Sequence, residues 1–186
     1  MIYDLLKRNR TIRRFRQDAA PGEETLRSFV SAARLTASAA NLQRLRYFLI
    51  TDRASEVYPM IGLGGYLPPE EKPTESVRPT AYIAVMAPLG ASDPNLFIDI
   101  GIAAEAITLA AAEAGVGCCM IRNFSKERLS SFIAKDGYAP ELLIALGTPD
   151  ESAQIRDVGS DGNIKYYKDR YGVNTVPKRT VDELLL

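Results

Sequence analysis

Asp93-Pro-Asn-Leu-Phe-Ile-Asp-Ile-Gly-Ile-Ala-Ala-Glu-Ala-Ile-Thr-Leu-Ala-Ala-Ala-Glu-Ala-Gly115 is the stretch on which the fold turns. Asp93 reads as a helix N-cap, Pro94 as the first helical residue and Gly115 as the stop. Between them Phe97, Ile98, Ile100, Ile102, Ala103, Ile107, Leu109 and Ala110 are interrupted only by Asp99, Glu105, Thr108 and Glu113. A helix that is apolar nearly all round is buried on most faces or packs against another copy of itself. Small residues at Ala103, Ala104, Ala106, Ala110, Ala111 and Ala112 permit close helix approach, the first indication of a subunit interface.

Working outward, residues 117–121 and 141–146 read as strands around a helix over 125–134. On the other side, residues 81–87, bounded by Pro79 and Pro88, and residues 46–51 are two more strands. An amphipathic helix is predicted over 21–37, with Leu26, Phe29, Val30 and Ala33 on one face. Residues 62–79 are rich in turn formers and charge and are expected as an exposed loop, either a lid or a plain surface excursion, with Tyr66 a candidate cover for a substrate pocket. From Thr148 the chain turns polar: residues 166–172 suggest a turn or hairpin, and Thr180 with Glu183 fits a capping box for a short final helix. Such a tail has few apolar anchors, so it drapes over its own domain or reaches across a partner. Alternating strands and helices suggest a parallel doubly wound sheet, but the phosphate-binding fingerprint of such sheets is missing, and Gly62-Leu-Gly-Gly65 reads as a turn.

Composition narrows the function. The 186 residues amount to one domain, residues 1–186, with 23 basic and 23 acidic side chains, which weakens any reading as a nucleic-acid binder. No run approaching ~18 apolar residues suggests a membrane span, and the N-terminus lacks a signal-peptide core. Histidine is absent, which excludes Ser-His-Asp and Cys-His hydrolases and His-ligated metal sites; no metal site is expected. The adjacent Cys118 and Cys119 cannot staple distant segments and read as small buried hydrophobes on opposite faces of a strand in a cytoplasmic protein.

Two segments carry candidate chemistry. Residues 7–16 hold six basic residues in ten. They read either as a solvated basic helix end or as an anion site, since Arg presents a planar fork of donors suited to phosphate. Residues 36–46 offer Ser38, Asn41 and Gln43 among small alanines, either as a helix end breaking into a turn or as an edge for a planar polar ligand.

Taken together these pieces resemble the nitroreductase family of FMN-dependent oxidoreductases. The family's Arg-Arg-Ser-x-Arg-x-Phe-like start is matched by Asn9-Arg10-Thr11-Ile12-Arg13-Arg14-Phe15, and its Pro-Ser-x-x-Asn-x-Gln-Pro motif by Ala37-Ser38-Ala39-Ala40-Asn41-Leu42-Gln43-Arg44. Asp99-Ile-Gly-Ile-Ala103, Gly115-Val-Gly117 and the tail Val176-Pro-Lys-Arg179 follow in order. Asn9 stands in place of an arginine, Ala37 and Arg44 in place of prolines, and Arg122-Asn123-Phe124 in place of a glycine-rich segment.

The resemblance implies an α+β fold: a mixed, mainly antiparallel sheet flanked by helices, with the long central helix at a homodimer interface and the tail from about residue 150 reaching the partner. It implies FMN held by Arg10, Thr11 and Arg13 of one subunit and Ser38, Ala39, Asn41 and Gln43 of the other, with Lys178 and Arg179 closing on the phosphate and Arg13 beside the edge that becomes anionic on reduction. It implies NADH or NADPH as reductant and a nitroaromatic or quinone as the small-molecule acceptor, with no nucleic-acid or membrane partner and no catalytic side chain, because the flavin carries the chemistry. Three charge-assisted hydrogen bonds at about 1.5–3 kcal/mol each are offset by roughly 4–15 kcal/mol for immobilising a ligand, so the flat ring must also be buried, and a second subunit supplies the other wall. Another reaction on the same flavin, or flavin binding without turnover, is the alternative.

Overall fold

Strand polarity sets the architecture. The computed structural model describes residues 1–65 and 67–186, so the expectation for Tyr66 lies outside the described residues. In chain order the elements are α1 (Ile2–Arg8), α2 (Glu23–Arg34), β1 (Arg46–Ile50), α3 (Ala54–Val57), β2 (Ala81–Pro88), α4 (Pro94–Glu113), β3 (Gly117–Ile121), α5 (Lys126–Ile133), β4 (Tyr138–Gly147), β5 (Ala153–Asp157), β6 (Tyr167–Lys168) and β7 (Asn174–Lys178). The main sheet has the order β1-β2-β4-β3, and every pair in it is antiparallel. It is an antiparallel sheet flanked by helices, the α+β fold expected.

Both faces of this sheet are covered, so its central strands are continuous apolar runs rather than alternating ones. Ile83 and Val85 face one core with Leu26 and Phe29 of α2 and Ile100, Ala103, Ala104, Ile107 and Ala111 of α4. Tyr82, Ala84 and Leu143 face the other, with Val57 of α3 and Leu129 and Ile133 of α5. Cys118 and Cys119 divide between the two cores, as small buried hydrophobes on opposite faces of β3.

Asp93 caps α4 by accepting from the Asn95 amide at 2.9 Å. The buried alanines Ala103, Ala104 and Ala111 share a core with α2, so within the chain they serve helix packing. The large apolar side chains that α4 leaves exposed are Phe97, Ile98 and Ile102. The expectation that no stretch has the character of a membrane span is corrected for this helix. Its most apolar 18-residue stretch reaches a mean hydropathy of 1.5, enough by length and composition alone, because isoleucine and alanine dilute its carboxylates.

The 62–79 loop is pinned rather than free. Arg14 Nη2 donates to the Glu71 carbonyl at 2.8 Å, the Tyr58 hydroxyl to the Pro73 carbonyl at 2.8 Å, and the Phe15 amide to the Val77 carbonyl at 3.0 Å. The tail folds into a second, three-stranded sheet, β5-β7-β6, in which β5 and β7 are parallel and β6 and β7 form the expected hairpin. Thr180 and Glu183 make both bonds of the capping box, yet only a turn follows.

Candidate functional site

The basic N-terminal run leaves α1 and lies along the edge of the sheet. The Ile12 amide donates to the Cys118 carbonyl at 2.8 Å, and Thr11 makes a parallel bridge to Cys118. Two glycines make room for it: a Cβ on Gly117 would stand 3.0 Å from Ile12, and one on Gly147 2.8 Å from the ring of the fully buried Phe15. Asn9 donates from Nδ2 to Glu105 Oε1 at 3.1 Å and to Thr108 Oγ1 at 3.0 Å, fastening the run to α4.

This arrangement opens a cavity of about 370 Å³ lined by Arg10, Thr11, Glu105, Thr108, Met120 and Lys178 among others. Arg10 Nη2 donates to the Leu6 carbonyl at 2.7 Å, while its Nε is buried without a partner. Burial pulls the Arg10 guanidinium below its ordinary value, and Glu105 works against that shift. The cavity therefore presents two cations and the hydroxyls of Thr11 and Thr108 beside one carboxylate, a donor set suited to an anion. Arg13 and Arg179 do not line it: the Arg13 guanidinium lies 4.6 Å from the Tyr166 ring centre, and Arg179 pairs with Glu183 at 3.5 Å.

Ser38, Ala39, Asn41 and Gln43 come together in one turn between α2 and β1. Ala40, Asn41 and Gln43 adopt φ values of 49°, 54° and 47°, left-handed backbone that costs non-glycine residues on the order of 1–3 kcal/mol each. Ser38 Oγ accepts from the Gln43 amide at 3.1 Å, and the buried Asp99 accepts from the Ala39 amide at 2.9 Å. Arg44 completes the brace, 2.8 Å from Asp93 and 3.7 Å from Asp99, and its hydrogen bond holds the Asp93 carboxyl below the usual range. A cavity of about 160 Å³ beside the turn is lined by Ser38, Gln43, Arg44, Asp99 and Ala103 among others.

The two groups flank α4 but do not meet within one chain. Thr108 and Glu105 lie nine and six residues beyond Asp99, about 180° and 240° round a helix of 3.6 residues per turn. The two cavities share no lining residue. The sequence reading gave no roles to Asp99, Arg44, Glu105 and Thr108, although Asp99 and Arg44 stand inside the quoted motifs. A buried aspartate in an otherwise apolar helix was the available signal for Asp99.

The chain matches the profile described as the Nitroreductase family over residues 6–78 and 78–148. None of the curated proteins matches it. Among solved structures, a nitroreductase family protein from Streptococcus pneumoniae TIGR4 superposes with a TM-score of 0.67 at 18% identity, over 82% of this chain and 92% of that one. An FMN-dependent nitroreductase from Clostridium difficile R20291 gives 0.62 at 23%, over 82% and 89%. The FMN-dependent nitroreductase NfnB from Mycobacterium smegmatis, in complex with NADPH, gives 0.63 at 18%, over 80% and 87%. At such identities the structural likeness is one of fold, and the profile, which spans more than half of the sequence, carries the assignment: the chain belongs to the nitroreductase family.

Proposed function

We propose that the protein is an FMN-dependent oxidoreductase that takes a hydride from NADH or NADPH and delivers it to a small acceptor such as a nitroaromatic or a quinone. The observation that carries this reading is the cavity beside α4, where Arg10, Thr11 and Lys178 converge and the Arg10 Nε is buried without a partner. Phosphate oxygens supply the acceptors this set lacks. Bound FMN supplies the hydride-carrying ring, so the absence of histidine is no obstacle.

Arg10 and Lys178 hold the phosphate charge, and the Thr11 hydroxyl adds a neutral donor. Glu105 stays engaged by Asn9 and beside Arg10, so its charge is partly balanced where the anion would sit. The Ser38–Gln43 turn presents the exposed amide groups of Asn41 and Gln43 to a planar polar edge, and Asp99 keeps that turn from relaxing. Arg13 and Arg179 carry less of the proposal, because Tyr166 and Glu183 engage them.

The two groups lie on opposite sides of α4, so a second copy of the chain is the natural source of the opposing wall, and a homodimer is part of the proposal. The exposed Phe97, Ile98 and Ile102 of α4 and the exposed Met120 beside the cavity favour it. A cytoplasmic location, where reduced nicotinamides are kept, completes the reading, and nucleic acid and membranes are not among the proposed partners. The test is the absorbance spectrum of the purified protein, followed by FMN titration, sedimentation, and anaerobic addition of NADH and NADPH in turn. A yellow dimer that bleaches supports the reading; a colourless monomer that takes up no added FMN overturns it.

A further inference from the structure

Glu151 follows β4 and faces two parts of the chain at once. Its Oε1 accepts from the amides of Arg13 and of Arg14, the latter at 3.2 Å, both in the N-terminal run that carries Arg10 and Thr11. Its Oε2 accepts from Asn174 Nδ2 at 2.6 Å, and Asn174 is the first residue of β7, which ends on Lys178. Four strand residues span about 13 Å, so the point where Asn174 is fixed sets where Lys178 arrives.

The tail has little else to hold it. From residue 151 onward only Asn174 and Thr175 are buried, at 4% and 0% exposure, and Leu184, Leu185 and Leu186 stand in solvent. Gln154 Nε2, donating to Thr175 Oγ1 at 3.0 Å and to Asp169 Oδ2 at 3.1 Å, ties the tail to itself, and the Tyr166 ring, 4.6 Å from the Arg13 guanidinium, adds a second contact with the N-terminal run.

We propose that Glu151 is a positioning residue that clasps the N-terminal run to β7 and so sets Arg10, Thr11 and Lys178 around one anion pocket. The inference rests on the reading of that pocket as the FMN phosphate site. The clasp works because a carboxylate accepts through both oxygens, one for each wall. A glutamine in its place still meets both walls, because the Asn174 amide turns over to accept from it. An aspartate in place of Asn174 instead sets two carboxylates face to face and drives the walls apart.

The experiment compares wild type, Glu151→Gln, Asn174→Asp and the double variant in two measurements: amide exchange at Thr175 and Val176, and FMN affinity of the flavin-stripped full chain. Glu151→Gln keeps its contacts with both walls but gives up their charge assistance, so it falls between wild type and Asn174→Asp in both. Asn174→Asp exchanges about tenfold faster or more and binds FMN about tenfold more weakly, the scale of one lost charge-assisted hydrogen bond. Adding Glu151→Gln to Asn174→Asp restores both, because the introduced glutamine then donates its side-chain N–H to the introduced carboxylate; a purely structural lesion at position 174 has no such rescue. Unchanged exchange in Asn174→Asp, or no rescue by the second substitution, overturns the clasp. Faster exchange with unaltered FMN affinity overturns the link to the pocket. Wild-type protein that binds no FMN strikes the reading beneath it, whatever the variants' exchange shows.

Discussion

α4 buries two polar side chains, Asp99 and Thr108, each 3% exposed and on opposite faces. Both fasten a neighbouring segment, but by different physics. Asp99 is a charge paired with Arg44, and it holds a turn whose backbone is left-handed at three non-glycine residues. Thr108 is a neutral hydroxyl, and it receives a hydrogen bond from Asn9 in a run that none of the positive-φ residues interrupts. One segment is held against its own strain; the other is merely attached. The difference teaches where rigidity is built in: the Ser38–Gln43 turn is over-determined, while the basic run gets its place from several modest bonds.

The largest effect expected from breaking this comparison is at Asp99. Asp99→Ala removes the acceptor of the Ala39 amide and the more distant of Arg44's two carboxylates, leaving Arg44 its 2.8 Å bond to Asp93, so the cost is about 3 kcal/mol, the upper end of the scale for leaving a buried donor unsatisfied. Urea unfolding measures it, and a loss below about 1 kcal/mol would show the turn to be self-supporting. Asp99→Asn, which keeps an acceptor for Ala39 and loses the charge, falls between. Next comes Arg10→Ala, expected to weaken FMN binding by about 1.5–3 kcal/mol in a fluorescence titration while leaving the unfolding midpoint nearly unchanged, because Arg10 bonds only a helix-end carbonyl. Thr108→Val follows at about 1 kcal/mol of stability. It leaves Asn9 its bond to Glu105, and the weaker foot should give the smaller number.

The same contrast explains what could be read from the sequence. α2 and α5 were legible from the helix period of their apolar residues, and α4 and the four main strands from nearly unbroken apolar runs, with Asp93 and Ser125 as helix caps. β4 proved longer than expected, ten residues rather than six, since Tyr138 and Ala139 extend the ladder opposite Pro88 and Ala87. α3 was missed: four residues leave no periodicity to detect. The β5-β7-β6 sheet was legible only as a hairpin, because polar contacts hold it and Glu151 and Asn174 look like any surface pair until the chain brings them together. The cluster of Arg10, Thr11 and Lys178 was reached through the resemblance alone, since nothing local links residues so far apart in sequence. Asp99 meets Ala39 across sixty positions, beyond the reach of any local pattern.

The smallest effect at ordinary pH belongs to the cysteines, which sharpen the comparison between the two sides of the sheet. Burial pushes the Cys118 thiol up to about 12, with Cys119 and Glu105 adding to the rise, and pushes Cys119 up to about 11, where Arg13 restrains it. In the unfolded chain a thiol ionises near 9, so above that pH the unfolded state binds fewer protons than the folded one, and stability falls as pH rises. Below pH 9 the contribution is fully present and nothing changes. Between pH 9 and about 12 the midpoint of thermal unfolding drops, and Cys118→Ala and Cys119→Ala each flatten part of that drop. The buried Tyr82 hydroxyl, also shifted up by burial, contributes with the same sign in every variant, so the difference between variants isolates the thiols. Cys118→Ala should flatten the drop more, because its thiol stays protonated to the higher pH. Equal flattening would mean that Glu105 and Arg13 do not distinguish the two faces of β3.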